Sequence, residues 1–177
     1  MLFICYKISK FGTLHNGGDV MYRVVSDFVN EWKHSADGTI AVINAITEEK
    51  KHFAIVDDHN SLEWIAWHLT TTPQFFMKQL GLDLQLDMPT EVPATIDEVK
   101  SWYIQFASKV EQVVANHYTD DQLTELVQAL GTTMPIGAVL RMLIDHQTHH
   151  RAQMQVLLRQ AGLEVPPVMG PTKEMVK

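Results

Sequence analysis

Near the C-terminal end of the 177-residue chain, the stretch "DHQTHHRAQMQVLLRQAG" runs from Asp145 to Gly162 and carries His146, His149 and His150. At 3.6 residues per turn, Ile136, Val139, Leu140, Leu143, His146, Gln147, His150, Met154 and Leu157 share one helix face. His146 and His150 therefore lie one turn apart inside the apolar stripe, and His149 is rotated to its flank, towards Met142 and Val156. Burying two imidazoles costs several kcal/mol unless their nitrogens find partners. Imidazoles at i and i+4 can meet that cost by binding one divalent ion, each through a nitrogen at about 2.1 Å. A third ligand must come from another helix at the same depth. His68, between Ile65 and Thr72 on the inward side of an earlier helix, is the candidate. Three histidines would leave a fourth position for water or substrate, the pattern of a catalytic site. The spacing is equally compatible with core histidines that hydrogen-bond to each other, to Tyr22 or to Tyr103, and the two readings stay open at this level.

Four helical segments must position these residues. From Met21, apolar residues recur at helical spacing through Val25, Phe28, Trp32, Ile40 and Ile43, which predicts a first helix reaching about Glu49 with a possible bend at Asp37–Gly38. Asn60 followed by Glu63 has the spacing of a capping box and predicts the start of a second helix. That helix stops at Gly81, and Pro73 inside it is a potential kink. Thr95 and Glu98 repeat the capping pattern before a third helix whose inward stripe is Val99, Trp102, Tyr103, Phe106, Val110 and Val113. "HYTDDQLTELV" predicts a short helical turn, and "GTTMP" a threonine-capped start with Pro135 in the first turn of the fourth helix. The fourth helix ends at Gly162, beyond which "VPPVMG" forbids continuation. With no convincing strand alternation, the expected fold is all-α, a four-helix bundle. The irregular connector from Gly81 to Ala94 is long enough to run along the bundle, so simple up-and-down order is not required.

The composition narrows the class of partner. A formal net charge of -7 and scattered basic residues argue against nucleic acid. Cys5 is the only cysteine, so no internal disulfide can form, which suits a reducing cytoplasm. The apolar run Leu2–Tyr6 is too short for a membrane span or a secretion signal. "HNGG" interrupts regular structure, and Gly17, Gly18 and Asp19 can be encoded by a sequence resembling a ribosome-binding site just before Met21. Residues 1–20 are thus read either as a flexible arm or as over-extended translation, with the domain proper at 21–177.

Two stretches, "NSLEWIAWHLTTTPQFF" and "DHQTHHRAQMQVLLRQAGLEVPPVMG", carry a resemblance to the DinB/YfiT-like family of metal-dependent four-helix proteins. The second is the more specific: His-x3-His followed by Arg-x-Gln, then Leu-Arg, a helix-ending glycine and Val-Pro-Pro. The resemblance implies a bundle with crossed connections and one divalent ion, Zn2+ or Ni2+, bound by His68, His146 and His150. His149 matches a family histidine that is not a ligand, and Ala152 stands where glycine is frequent. The resemblance further implies a thiol S-transferase acting on a small thiol such as bacillithiol and an electrophilic cosubstrate, in a homodimer. The alternative is a non-enzymatic stress-response protein that binds metal or a ligand. Asp145, Gln147, Trp64 and Arg151 are candidates to line or support the site, although Asp145 points off the ligand face and Arg151 is expected as a solvated surface residue. Trp64, Trp67, Phe75 and Phe76 are expected in the core or at a subunit contact.

Overall fold

The structure, a computed structural model, describes residues 21–175. The alternative readings of residues 1–20 fall outside the described residues. Four helices make the bundle: α1 (Val25–Asn44), α2 (Leu62–Gln79), α3 (Ile96–His117) and α4 (Ile136–Gln160). Helices α1 and α2 each pack against both α3 and α4, so consecutive helices α1 and α2 lie across a diagonal, as do α3 and α4. The crossings are therefore made by the segments 45–61 and 118–135. The connector after Gly81, by contrast, joins the neighbours α2 and α3. Phe28, Trp32, Ile43, Leu62, Leu69, Met77, Tyr103, Phe106, Leu140 and Leu143 fill the space between the helices. Among the described residues, no helix is long and apolar enough to cross a membrane.

Several boundaries differ from the sequence expectation, each for a local reason. Helix α1 begins at Val25 and ends at Asn44 instead of Glu49, and the polar residues beyond it are engaged with the starts of α2 and α3. The Glu48 carboxylate accepts from the first amide of α3, Ile96 N, at 2.7 Å, and Lys51 bridges Glu48 and Glu63. The α2 cap is Ser61 and not Asn60: its hydroxyl accepts from Trp64 N at 3.2 Å. The Thr95–Glu98 capping box forms in full, and on α3 Trp102 and Val113 are half-buried while Ala107 and Val114 join the core. A 3-10 turn spans Asp121–Thr124 as expected.

"GTTMP" does not cap α4. Thr132–Pro135 is strand β2, paired antiparallel with β1 (Leu126–Ala129). Pro135 itself occupies the position before the helix, with no side-chain cap. The hairpin turn places Leu130 at φ 53° and Gly131 at φ 80°, a conformation that leucine disfavours. The Gln79 side chain holds it by accepting from Leu130 N at 2.9 Å. The first helix runs unbroken through Asp37–Gly38. Gly38 is required there for a different reason: a Cβ would stand 2.6 Å from Val168 Cγ1, where the tail after α4 packs back onto α1.

Candidate metal centre

Pro73 sits inside α2 without interrupting it. Lacking an amide hydrogen, it leaves the Leu69 carbonyl, one turn earlier, without its helical donor. Gln147 of α4 fills the gap, its Nε2 donating to Leu69 O at 3.0 Å, while its Oε1 accepts from Tyr103 Oη at 3.0 Å. Gln147 is fully buried and so ties α4 to both α2 and α3. Leu69 follows His68 and Gln147 follows His146, so this bond also fixes the depth at which the two histidines meet.

His68, His146 and His150 converge. One nitrogen from each ring lies within 4.8 Å of the others, and the ring centroids stand 4.9, 4.6 and 4.5 Å apart for the 68–146, 68–150 and 146–150 pairs. His68 Nε2 and His146 Nε2 are 3.1 Å apart. Two nitrogens bound to one ion at about 2.1 Å stand about 3.0 Å apart at right angles and about 3.4 Å apart at tetrahedral angles. The spacing fits a shared ion and equally fits one N–H···N bond. Tyr22 donates to Glu31 and Tyr103 to Gln147, so neither tyrosine serves the histidines.

The electrostatics favour neutral rings. Burial, reinforced by the neighbouring His150, pushes His68 down to about 4. Burial likewise pushes His146 down to about 3, with the other histidines adding to the effect, and lowers His150. Neutral imidazole is the ligating form. Outer contacts orient two of the rings: His150 Nδ1 lies 2.8 Å from Gln153 Oε1, and His68 Nδ1 lies 3.5 Å from Thr72 Oγ1. A proton on each Nδ1 turns the Nε2 lone pairs of these rings toward the cluster, an arrangement that a cation relieves. His146 Nδ1 is buried with no hydrogen-bond partner among the described residues. The cluster is thus capable of holding a divalent ion. Trp64 stacks on the His68 ring at 5.0 Å and 13°, and Phe76 lies 5.8 Å from His146.

Of the supporting candidates, Trp64 adjoins the cluster, 42% exposed at its outer side. Gln147 supports it from the core. Asp145 turns away to Arg141, which also binds Glu31 at 2.8 Å. Arg151 corrects the expectation of a solvated arginine: it is 3% exposed, with Nη1 donating to Ser35 O at 2.7 Å, Ser35 Oγ at 3.0 Å and Thr39 Oγ1 at 3.2 Å. Among the described residues it pairs with no carboxylate; it clamps α4 to α1. His149 is exposed, and its Nε2 meets Gln153 Nε2 at 3.1 Å. Trp67 and Phe76 are core residues, while Phe75 is 43% exposed. Cys5 lies outside the described residues. Two residues touching the three converging rings were not among the sequence candidates, Thr72 and Gln153. Their signal was available: each falls on its histidine's own helix face, at i+4 and i+3.

Residues 21–177 match the profile of the DinB family. A Bacillus subtilis (strain 168) protein, "Uncharacterized protein YrdA", is 36% identical over 157 residues, covering 87% of this chain and 93% of its own length. The crystal structure of a DinB-like protein from Bacillus cereus ATCC 10987 superposes with a TM-score of 0.77 at 31% identity, covering 84% of this chain and 99% of that one. A DinB-like protein of Bacillus subtilis, YjoA, shares the fold with a TM-score of 0.65 at 17% identity, over 82% of this chain and 99% of that one. Helical order, diagonal crossings and a histidine cluster between α2 and α4 thus coincide with a match spanning the whole described domain, and the chain belongs to the DinB family.

Proposed function

We propose that the protein is a metal-dependent thiol S-transferase in which His68, His146 and His150 hold one Zn2+ or Ni2+. The carrying observation is a donor set of three neutral, half-buried imidazoles on two helices, with no carboxylate among them. Such a set leaves the charge of a bound ion uncompensated. When present, the ion would act as a Lewis acid that favours deprotonation of a thiol at its open position. The chain's own part is positional. The Gln147–Leu69 bond sets the depth of α2 against α4, Trp64 covers one face of His68, and Phe76 excludes water beside His146.

The reactive sulfur belongs to a cosubstrate, for which a low-molecular-weight thiol such as bacillithiol is the proposed class, with a small electrophile as acceptor. All three histidines keep part of their surface exposed, which favours chemistry over a fully sealed structural ion. Zn2+- or Ni2+-loaded protein should consume electrophile only when a thiol is supplied, in a panel of small thiols and electrophiles. Metal binding without turnover across the panel would reject the transferase and favour a binding role in the stress response.

A further inference from the structure

His150 in its neutral form has one proton for two ring nitrogens, and only the unprotonated nitrogen can bind a metal. The Gln153 carboxamide decides which one that is. Its Oε1, 2.8 Å from His150 Nδ1, can only accept, so the proton belongs on Nδ1 and the lone pair on Nε2. The other end of the same carboxamide, Nε2, can only donate, and it meets His149 Nε2 at 3.1 Å. Rotating the amide by half a turn would demand the opposite tautomer at each ring, with the proton of His149 on Nε2 and the lone pair of His150 on Nδ1. It would set an NH2 group against His150 Nδ1, a pairing satisfied only by the tautomer that cannot offer Nε2. The observed orientation, with His149 accepting at Nε2 and His150 donating from Nδ1, is the one that leaves the His150 Nε2 lone pair free for an ion shared with His68 and His146.

We propose that Gln153, oriented by His149, is a positioning residue that selects the Nδ1–H tautomer of His150 and so assigns Nε2 as its ligating nitrogen. The proposal rests on the three-histidine metal site argued above. It also gives a use to His149, whose ring stands edge-on to His150 at 4.9 Å without being one of the three converging histidines. Partners of this kind, one bond removed from the ion, typically change metal affinity by about 10–100-fold when lost.

Gln153 is exposed, so its replacement leaves the core untouched. Gln153→Met keeps the length of the side chain and removes the acceptor; Gln153→Glu keeps an acceptor. Competition against a chromophoric chelator should show Gln153→Met binding Zn2+ about 10–100-fold more weakly than wild type, with Gln153→Glu equal or tighter. Nitrogen-15 NMR of the metal-free imidazoles should report His150 as Nδ1–H in wild type and in Gln153→Glu, with the Nε2–H form gaining population in Gln153→Met. A merely structural glutamine would move the melting temperature and not the tautomer. Wild type that fails to bind Zn2+ would remove the metal reading, while the NMR spectrum would still judge the role of Gln153. Wild type that binds, beside a Gln153→Met variant of equal affinity or unchanged His150 tautomer, would overturn the proposal.

Discussion

Gln147→Leu isolates the bond that sets helix depth. The leucine fills a similar volume but strips the acceptor from Tyr103 Oη and the donor from Leu69 O, both bonded at 3.0 Å in a fully buried setting. Thr39 Oγ1, at 3.4 Å from Gln147, keeps its bond to Ser35 O and adds little. Two buried polar groups left unpartnered cost about 1–3 kcal/mol each, so the variant should lose about 2–6 kcal/mol. That is a large share of the 5–15 kcal/mol, roughly, by which domains are stable. Part of the loss exists only because Pro73 cannot donate to Leu69 O. Pro73→Ala restores that donor, so in its background Gln147→Leu should cost about 1–3 kcal/mol less. Urea unfolding of the four metal-free proteins, followed by circular dichroism, gives the coupling directly. Additivity of the two substitutions within about 0.5 kcal/mol would refute the account of Pro73, Leu69 and Gln147 as one device.

His150→Ala should abolish tight binding of Zn2+ or Ni2+, whereas His149→Ala, which keeps all three proposed ligands and Gln153 and loses only the contact that orients its amide, should weaken binding by no more than Gln153→Met does; equal losses for the two histidine variants in a metal titration would show that the ligand face of α4 is misassigned. The metal-free protein should lose stability as the pH falls from about 6.5 towards about 4 and be insensitive to pH just above that range. In that window the unfolded chain takes up protons at the ordinary histidine value while His68, pushed down to about 4, and His146, down to about 3, stay neutral when folded, so the unfolded state binds more protons. Thermal melts across this range, free of metal, provide the check, and a flat profile would contradict the burial argument. Light scattering at micromolar concentration should give a homodimer, twice the chain mass of 20.1 kDa, with half-exposed Trp64 and Phe75 among the residues available to an interface; the monomer mass would count against it.

Much of the site was legible because it is written in short-range periodicity. His146 and His150 share a face of α4 for the same reason that Leu143 and Met154 do, and the Thr95–Glu98 box needs only a three-residue spacing. The helix-ending glycines are equally local: Gly81 and Gly162 adopt φ 73° and 76°, where a Cβ would be strained. The capping spacing points to Asn60 where the cap is Ser61, since both side chains accept hydrogen bonds and the choice depends on how the chain enters α2 from Phe53, whose carbonyl accepts from Leu62 N at 3.0 Å. The end of α1 was set by a remote helix terminus drawing on Glu48, and the β-hairpin by Gln79 holding a left-handed leucine. Arg151 departs from the sequence expectation because an arginine is normally solvated unless acceptors surround it, and here its acceptors come from α1, more than a hundred residues earlier. The convergence of His68 with the α4 pair was likewise a tertiary fact. Periodicity states which way a side chain leaves its own helix, but the distance between two helices and their relative depth depend on contacts across the bundle. Here those contacts are a proline's missing donor and one buried glutamine.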